Sequence, residues 1–199
     1  MADRVINVLL AGTGGQGIVL ASRIIAHCAL KSGFDVKESE IHGMAQRGGS
    51  VIGQVRFGGK VYSPSIPTGE ADIMLALEEM EALRYLHYLK PEGIVILNEK
   101  QIVPPALDVN QYPQNVLSRI KEKGHKAIPL KAQDVAQKLG SSKVENSVLL
   151  GVLSLFLPFE EEIWRETITQ SVPGKTVDLN IRAFEEGRVL GEKLLQSQS

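Results

Sequence analysis

Two stretches of the sequence bring together residue types that could do chemistry, and the first is a glycine-rich turn. The pattern G-x-G-x-x-G is matched, directly after an apolar run, by Gly12, Thr13, Gly14, Gly15, Gln16 and Gly17. In such a turn the first glycine permits a tight bend, the second lets a ligand approach the backbone, and the third lets the next helix pack closely. Free N–H groups at the start of that helix favour an anion, so the motif predicts a site for a phosphate or a carboxylate.

An acidic residue at a suitable distance raises the alternative of dinucleotide binding. Glu38 lies 21 positions after Gly17, where an acid of a dinucleotide-binding fold meets a ribose hydroxyl. However, no second cofactor-binding half and no group suited to hydride transfer follows. We therefore favour a glycine turn that shapes the chain, receives an anion or contacts a partner over a turn that binds NAD.

The second stretch is the segment from Glu40 to Ser50, whose glycines and polar residues predict an irregular loop. It combines an imidazole that titrates near neutral pH, an amide, a guanidinium suited to planar anions and a flexible thioether. The residues that we expect to bind a ligand or a partner are His42, Met44, Gln46, Arg47, Gly48 and Gly49. The alternative is that His42 and Arg47 only hydrogen-bond the loop to itself.

The elements that position the two loops follow from hydrophobic patterns. Val5 to Ala11 is typical of a buried strand, the apolar-periodic segment from Ile18 to Ser32 of a helix, and Phe34 to Ser39 of a second strand. This order predicts a βαβ unit, with the glycine turn between its first strand and its helix.

The rest of the chain alternates between strands and helices and then becomes helical. Residues 51–57 alternate in polarity before Gly58-Gly59 and a return at Val61 and Tyr62, which predicts a β-hairpin. Further strands are expected at 73–77, 94–97 and 126–130, and helices at 79–89, 115–123, 132–139, 146–156, 160–170 and 177–195.

This alternation predicts an α/β fold, namely a Rossmann-like, doubly wound and mostly parallel sheet with an inserted β-hairpin and a helical C-terminal third. We expect residues 1–199 to form one domain, of which about 146–195 are a helical extension. In the last helix Gly187 and Gly191 share one face, so another backbone could approach there, either within the domain or from a partner.

Composition argues against several classes of protein. Apolar residues make up 43%, charged residues 23% and the net charge is −1, which gives no broad electrostatic basis for nucleic-acid binding. The apolar run from Val5 to Ala11 is far shorter than the roughly 20 residues that span a membrane, so we expect a cytoplasmic protein. The one cysteine, Cys28, cannot ligate an iron–sulfur cluster alone, and the histidines are not spaced as ligands, so no metal site is predicted.

Longer segments of the sequence, taken together, resemble one family. In chain order the segments are GTGGQGIVLAS, ESEIHGMAQRGGSVIGQVRFG, YSPSIPTGEADIMLALEEMEALRYL and LKPEGIVILN, with KTVDLNIRAFEEGR near the C-terminus. They resemble the gamma subunit or domain of the 2-oxoacid:ferredoxin oxidoreductases. Within that family the form HGMAQRGGSV and the chain length most resemble the small beta subunit of the indolepyruvate enzymes.

The resemblance implies a non-redox accessory subunit of an enzyme for the coenzyme A-dependent oxidative decarboxylation of a 2-oxoacid such as indolepyruvate or another aryl pyruvate. Thiamine diphosphate, Mg²⁺ and iron–sulfur clusters would then belong to a large catalytic partner subunit, because this chain lacks a GDG…N pattern and has a single cysteine. Ferredoxin would be an indirect partner, and the isolated chain is expected to be inactive. Both loops are expected at the carboxyl ends of the strands, where they would help to shape the approach to the partner's active site.

Two other functions stay open on the sequence alone. One is a free-standing dinucleotide-binding protein that uses the glycine turn and Glu38. The other is an orphan scaffold that forms a homodimer without a catalytic partner. An accessory subunit in isolation could also form a homodimer, because its docking surface would be left open.

Overall fold

The computed structural model of the chain describes residues 4–43, 49–104 and 107–197. Within these residues six strands form one sheet: β1 Ile6–Thr13, β2 Asp35–His42, β3 Ser50–Gly58, β4 Ala71–Ala76, β5 Leu89–Asn98 and β6 Lys126–Leu130. The order across the sheet is β2-β3-β1-β4-β5-β6. β1, β4, β5 and β6 are parallel, whereas β3 is antiparallel to both of its neighbours.

Helices cover both faces of this sheet. They are α1 Ile18–Lys31, α2 Glu79–Tyr85, α3 Val116–Glu122, α4 Ala132–Lys138, α5 Glu145–Ser154, α6 Glu161–Ser171 and α7 Val177–Gln196. Alternate residues of β1 face opposite sides, so Val8 and Leu10 pack in one core with α1 and the C-terminal helices, while Leu9 and Ala11 pack in the other with α2 and α3. The predicted doubly wound, mostly parallel sheet with a helical C-terminal third is confirmed.

The predicted βαβ unit is split by a third strand, and the predicted hairpin pairs differently from our expectation. β3 lies between β1 and β2 and pairs with β1 from Ile6↔Phe57 to Thr13↔Ser50. The inserted hairpin is therefore β2–β3, joined by the second loop. β2 still runs in the same direction as β1, one strand further away.

The predicted return strand at Val61 and Tyr62 is also wrong, because neither residue belongs to a strand in the described part of the chain. The physical reason is that β1 and β2 already occupy both edges of β3, so a further strand has no edge to pair with. Instead, the Val61 N–H donates to Asp35 Oδ2 at 2.9 Å, and Tyr62 is 88% exposed.

The glycine face of the last helix packs within the chain rather than against a partner. An ideal Cβ on Gly187 would lie 2.1 Å from the Val148 carbonyl oxygen, and one on Gly151 would lie 2.2 Å from the Phe184 carbonyl oxygen. Since real Cβ atoms do not approach oxygen so closely, α5 and α7 can cross backbone against backbone only because these positions are glycines.

A row of aromatic rings fixes the C-terminal helices to the sheet. Phe57 of β3 lies 4.9 Å from Phe159, which lies 5.7 Å from Trp164 of α6, and Trp164 stacks on Phe184 of α7 at 5.8 Å between ring centroids. Cys28 of α1 is fully buried in the same core, and this burial raises the pKa of its thiol to about 12. Cys28 is therefore a packing residue of this core.

None of the described helices combines the length and the apolar composition that a membrane crossing requires.

Candidate functional site

The topology creates a crevice at the carboxyl ends of β1 and β4. β1 is followed by α1 on one face of the sheet, and β4 is followed by α2 on the other face. In open α/β sheets the chain diverges at such a switch point, and ligands bind in the opening it leaves. The predicted glycine turn lies at this point.

Gln16 organises the glycine turn. Its side-chain Oε1 accepts from the Thr13 N–H at 2.7 Å and from the Thr13 hydroxyl at 3.1 Å, while its Nε2 donates to the Leu77 carbonyl oxygen at 2.9 Å. The Leu77 N–H in turn donates to the Ala11 carbonyl oxygen at 2.8 Å, which extends the β1–β4 pairing. Gln16 therefore ties the turn after β1 to the end of β4.

The glycines of the turn have different roles from those predicted by the motif. Gly12 still belongs to β1, and a Cβ there would lie 2.8 Å from Gln16 Oε1 and 3.1 Å from Leu77 Cβ. Gly17 has a φ of 72°, and a Cβ there would lie 2.5 Å from Asn146 Nδ2. The first and last glycines of the motif thus make room for neighbouring side chains, while Gly14 donates its N–H to the Gly49 carbonyl oxygen at 2.8 Å.

This last hydrogen bond joins the two loops. Gly49 closes the second loop and directly precedes β3, and the Gly43 N–H donates to the Ser50 carbonyl oxygen at 2.8 Å. His42 ends β2, where it is exposed and its Nε2 lies 3.4 Å from Glu40 Oε2. Of the other predicted residues of this loop, Met44, Gln46, Arg47 and Gly48 lie outside the described residues.

A cavity of about 540 Å³ opens beside the glycine turn. Its walls combine the turn with side chains from three other places at the carboxyl edge: Leu77, Asn98, Lys100, Ile102, Ser142, Lys143, Glu145, Asn146 and Leu149, together with Leu20 of α1. This wall carries two lysines, Lys100 and Lys143, and one glutamate, Glu145, which is paired with Lys100 at 2.7 Å, so its formal net charge is +1. In the described residues no side chain caps the N-terminus of α1, so its free N–H groups add to this positive character.

Sequence reasoning missed the cavity residues outside the two loops. Asn98 is buried, donates to the Leu77 carbonyl oxygen at 3.2 Å and accepts from the Ala132 N–H at 3.1 Å. Asn146 donates to the carbonyl oxygens of Gln16 and Gly17 at 2.8 and 3.1 Å. The available signal was position alone, since Asn98 ends a strand and Asn146 lies in the first turn of a helix.

The geometry weakens the case for dinucleotide binding. Glu38 lies on β2, and β3 separates β2 from the strand that leads into the glycine turn. Glu38 faces Arg23 and Glu40, and burial, followed by the charge of Glu40, raises the pKa of its carboxyl. The acid is therefore one strand too far across the sheet for the arrangement in which a ribose is bound beside the turn.

The acidic residue that follows β4 and Leu77, Glu78, caps helix α2 and also holds a long loop. Glu78 is fully buried and accepts from the Glu81 N–H at 2.9 Å at the start of α2. It also accepts from the Ile102 N–H at 3.1 Å and from the Tyr112 hydroxyl. Burial, together with the hydrogen bond to Glu78, raises the pKa of Tyr112.

Comparison with known proteins agrees with this α/β fold. The family model for pyruvate ferredoxin/flavodoxin oxidoreductase matches residues 7–190, so the chain belongs to that family. The indolepyruvate oxidoreductase subunit IorB of Thermococcus kodakarensis is 41% identical over 196 residues, which cover 95% of this chain and 97% of the relative. The resemblance stated from the sequence is thereby confirmed.

Two solved structures share the fold at lower identity. The gamma subunit of a keto/oxoacid ferredoxin oxidoreductase from Geobacter sulfurreducens superposes with a TM-score of 0.73 at 23% identity, over 94% of this chain and 99% of that one. A 2-oxoglutarate:ferredoxin oxidoreductase from Magnetococcus marinus, solved with 2-oxoglutarate, coenzyme A and succinyl-CoA bound, superposes with a TM-score of 0.74 at 22% identity. This chain covers 32% of that chain, so there the fold is one part of a longer polypeptide.

Proposed function

We propose that this chain is the non-redox accessory subunit of a thiamine-diphosphate-dependent indolepyruvate:ferredoxin oxidoreductase that performs a coenzyme A-dependent oxidative decarboxylation. The observation that carries the proposal is the 41% identity, over nearly the full length of both chains, to a subunit of an indolepyruvate oxidoreductase. The family match over residues 7–190 supports the wider class of enzyme.

The residues of this chain do not suit the redox cofactors. A four-thiolate cluster needs four cysteines, whereas the sequence has one, and Cys28 is fully buried with a thiol pKa raised by burial to about 12. We therefore assign the iron–sulfur clusters, thiamine diphosphate and Mg²⁺ to a large catalytic partner in the cytoplasm, and ferredoxin contacts that partner. The isolated chain is then inactive.

The two loops are the part of this chain that we assign to the partner's active-site approach. Their described residues meet through the hydrogen bond from Gly14 to Gly49, beside a cavity with Lys100 and Lys143 in its wall. Free N–H groups and lysines favour anionic groups, and both the carboxylate of a 2-oxoacid and the phosphates of coenzyme A are of this kind. The residues in this role are Gly12, Thr13, Gly14, Gly15, Gln16, Gly17, His42, Met44, Gln46, Arg47, Gly48 and Gly49.

The test of the function is purification of the tagged chain from its native cells without oxygen, followed by an assay of viologen reduction with indolepyruvate, pyruvate and coenzyme A. We expect a large iron–sulfur and thiamine-diphosphate protein to copurify and to reduce viologen fastest with indolepyruvate. Recovery of a colourless homodimer without 2-oxoacid-dependent reduction contradicts the proposal and favours the orphan scaffold. Thermal stabilisation of the chain by NAD, NADP or FAD would favour the dinucleotide-binding alternative, against which the position of Glu38 already argues.

The role of the second loop is tested by Arg47→Ala in the same complex. We expect the complex to assemble and its kcat/KM to fall by about tenfold or more, because a guanidinium that binds an anion contributes on the order of 1.5–3 kcal/mol. Arg119→Ala is the matched control, since Arg119 is exposed on α3, which packs beside β6 at the opposite edge of the sheet from β2. Equal kinetics for wild type and Arg47→Ala would remove Arg47 from the site.

A further inference from the structure

Ser50 is the residue at which the two loops meet the sheet. It opens β3 directly after the second loop and is the register partner of Thr13 in the glycine turn. Its carbonyl oxygen accepts from Gly43, and the carbonyl oxygen of the preceding residue, Gly49, accepts from Gly14. The position of Ser50 therefore sets the position of one loop against the other.

Helix α2 holds the Ser50 side chain from the opposite side of this joint. The Ser50 hydroxyl donates to Glu81 Oε2 and lies 2.8 Å from the Tyr85 hydroxyl. Because a serine hydroxyl has one hydrogen to give, the Tyr85 hydroxyl donates to Ser50 Oγ. Glu81 Oε1 accepts from Arg84 Nε at 3.1 Å, so both carboxylate oxygens have a partner.

Helix capping does not account for the placement of Glu81. The N-cap of α2 is Glu78, and a charge that only complements a helix N-terminus can remain in solvent. Glu81 is instead 1% exposed, and a buried carboxylate costs several kcal/mol unless its partners offset the loss of water. Its partner on the site side is Ser50, which lies 31 residues away in the chain.

We propose that Glu81 and Tyr85 are positioning residues, which fix Ser50 and through it the hydrogen bond between Gly14 and Gly49. The glycine turn and the described ends of the second loop, Gly43 and Gly49, are then held together on the side that meets the partner enzyme. This inference rests on the proposed function for its catalytic consequence, but the positioning itself is a property of the isolated chain. Loss of the Ser50 hydroxyl frees the start of β3 and loosens the joint between the loops.

The first test measures hydrogen exchange of backbone amides by NMR on the isolated full chain. We expect the Gly14 amide of Ser50→Ala to exchange about tenfold faster relative to the Val95 amide of the sheet core, since a hydrogen bond to a charged group is lost. The quantity compared is the Gly14 ratio, which is the exchange rate of the Gly14 amide divided by that of the Val95 amide. Glu81→Gln is expected to raise this ratio as well, whereas Ser50→Thr keeps the hydroxyl and is expected to give the wild-type ratio. An unchanged Gly14 ratio in Ser50→Ala overturns the proposal.

Glu78→Gln is the matched control, because Glu78 is a second buried carboxylate at the start of the same helix, and it accepts from the backbone N–H groups of Glu81 and Ile102 and from the Tyr112 hydroxyl rather than from Ser50. We expect it to leave the Gly14 ratio unchanged. If Glu78→Gln raised that ratio as much as Glu81→Gln does, the effect would be a general loosening of α2 and the proposal would fail.

The second test uses the reconstituted complex. Ser50→Ala is expected to raise the half-saturating concentration of coenzyme A or of indolepyruvate by about threefold or more with little change in kcat, because a less ordered surface binds more weakly. If Ser50 had a purely structural role, Ser50→Ala would lower the yield of complex and leave the half-saturating concentrations and kcat unchanged. That result would overturn the catalytic consequence of the proposal. A wild-type complex without activity would overturn the proposed function alone, since the exchange measurement does not depend on it.

Discussion

Single side chains hold the glycine turn in place, and their hydrogen bonds join residues that are far apart in the sequence. Gln16 reaches Leu77 across 61 residues, and Asn146 reaches Gln16 across 130. The turn itself could be predicted, because a glycine pattern between a strand and a helix is local. The two hydrogen bonds that hold the turn could not be predicted, because hydrogen bonds between distant residues depend on the order of the strands and on the packing of α5.

Gly17 gives a prediction at this scale. Its φ of 72° strains any other residue, and a Cβ there would also displace the Asn146 amide from 2.5 Å away. We expect Gly17→Ala to lower the free energy of unfolding by about 2 kcal/mol or more, measured by urea denaturation. Gly15→Ala is the control, because its φ of 94° is also strained but no described atom lies within 4 Å of its Cβ. Equal losses would mean that the Asn146 contact contributes nothing.

The elements were predicted more accurately than their arrangement. β6 has the predicted bounds, and the predicted helices 132–139, 146–156, 160–170 and 177–195 each correspond to an observed helix within two residues at either end. Helical and strand periodicities are local, so they fix where an element lies in the chain. They do not fix which strand an element pairs with, so the position of β3 between β1 and β2 did not follow from the pattern of residues 50–58.

The crossing of α5 and α7 gives a prediction for a pair of elements. Gly187→Ala would place a Cβ 2.1 Å from a backbone oxygen of α5, which can move only if the helices separate. We expect a loss of about 3 kcal/mol in the free energy of unfolding, despite a gain of about 1 kcal/mol in helix propensity.

The matched control for this pair is Gly191→Ala, where the nearest atom is the end of the Leu155 side chain at 2.7 Å. Because that side chain can rotate away, we expect a change of less than about 1 kcal/mol by the same denaturation measurement. A large loss in both variants would show that the whole face is equally close-packed.

At the scale of the whole molecule we infer that the chain folds as one domain, with the C-terminal helices as part of it. Val8 and Leu10 of β1 belong to the same buried cluster as Val148 of α5 and Phe184 of α7. Helices that share a core with the central strand have little apolar surface of their own to bury, so they are not expected to unfold separately.

The one tryptophan makes this inference testable. Trp164 is fully buried in α6 between Phe159 and Phe184, so its fluorescence reports the helical part, while far-UV circular dichroism reports the whole chain. We expect both signals to give the same denaturation midpoint in urea. A fluorescence transition at lower urea would mean that the helical part is a separate unit.

The placement of β3 has a consequence for protein synthesis. β1 precedes both of its hydrogen-bonding neighbours in the chain, and the earlier of them, β3, ends at Gly58. At about 5–20 residues per second, the roughly 45 residues after Thr13 take about 2–9 s to translate. During that time the centre of β1 has no sheet partner. In the folded chain the residues at this centre are fully buried, namely Val8, Leu9, Leu10 and Ala11. We therefore expect the growing polypeptide to expose an apolar strand early in translation, which is the kind of segment that chaperones at the ribosome bind.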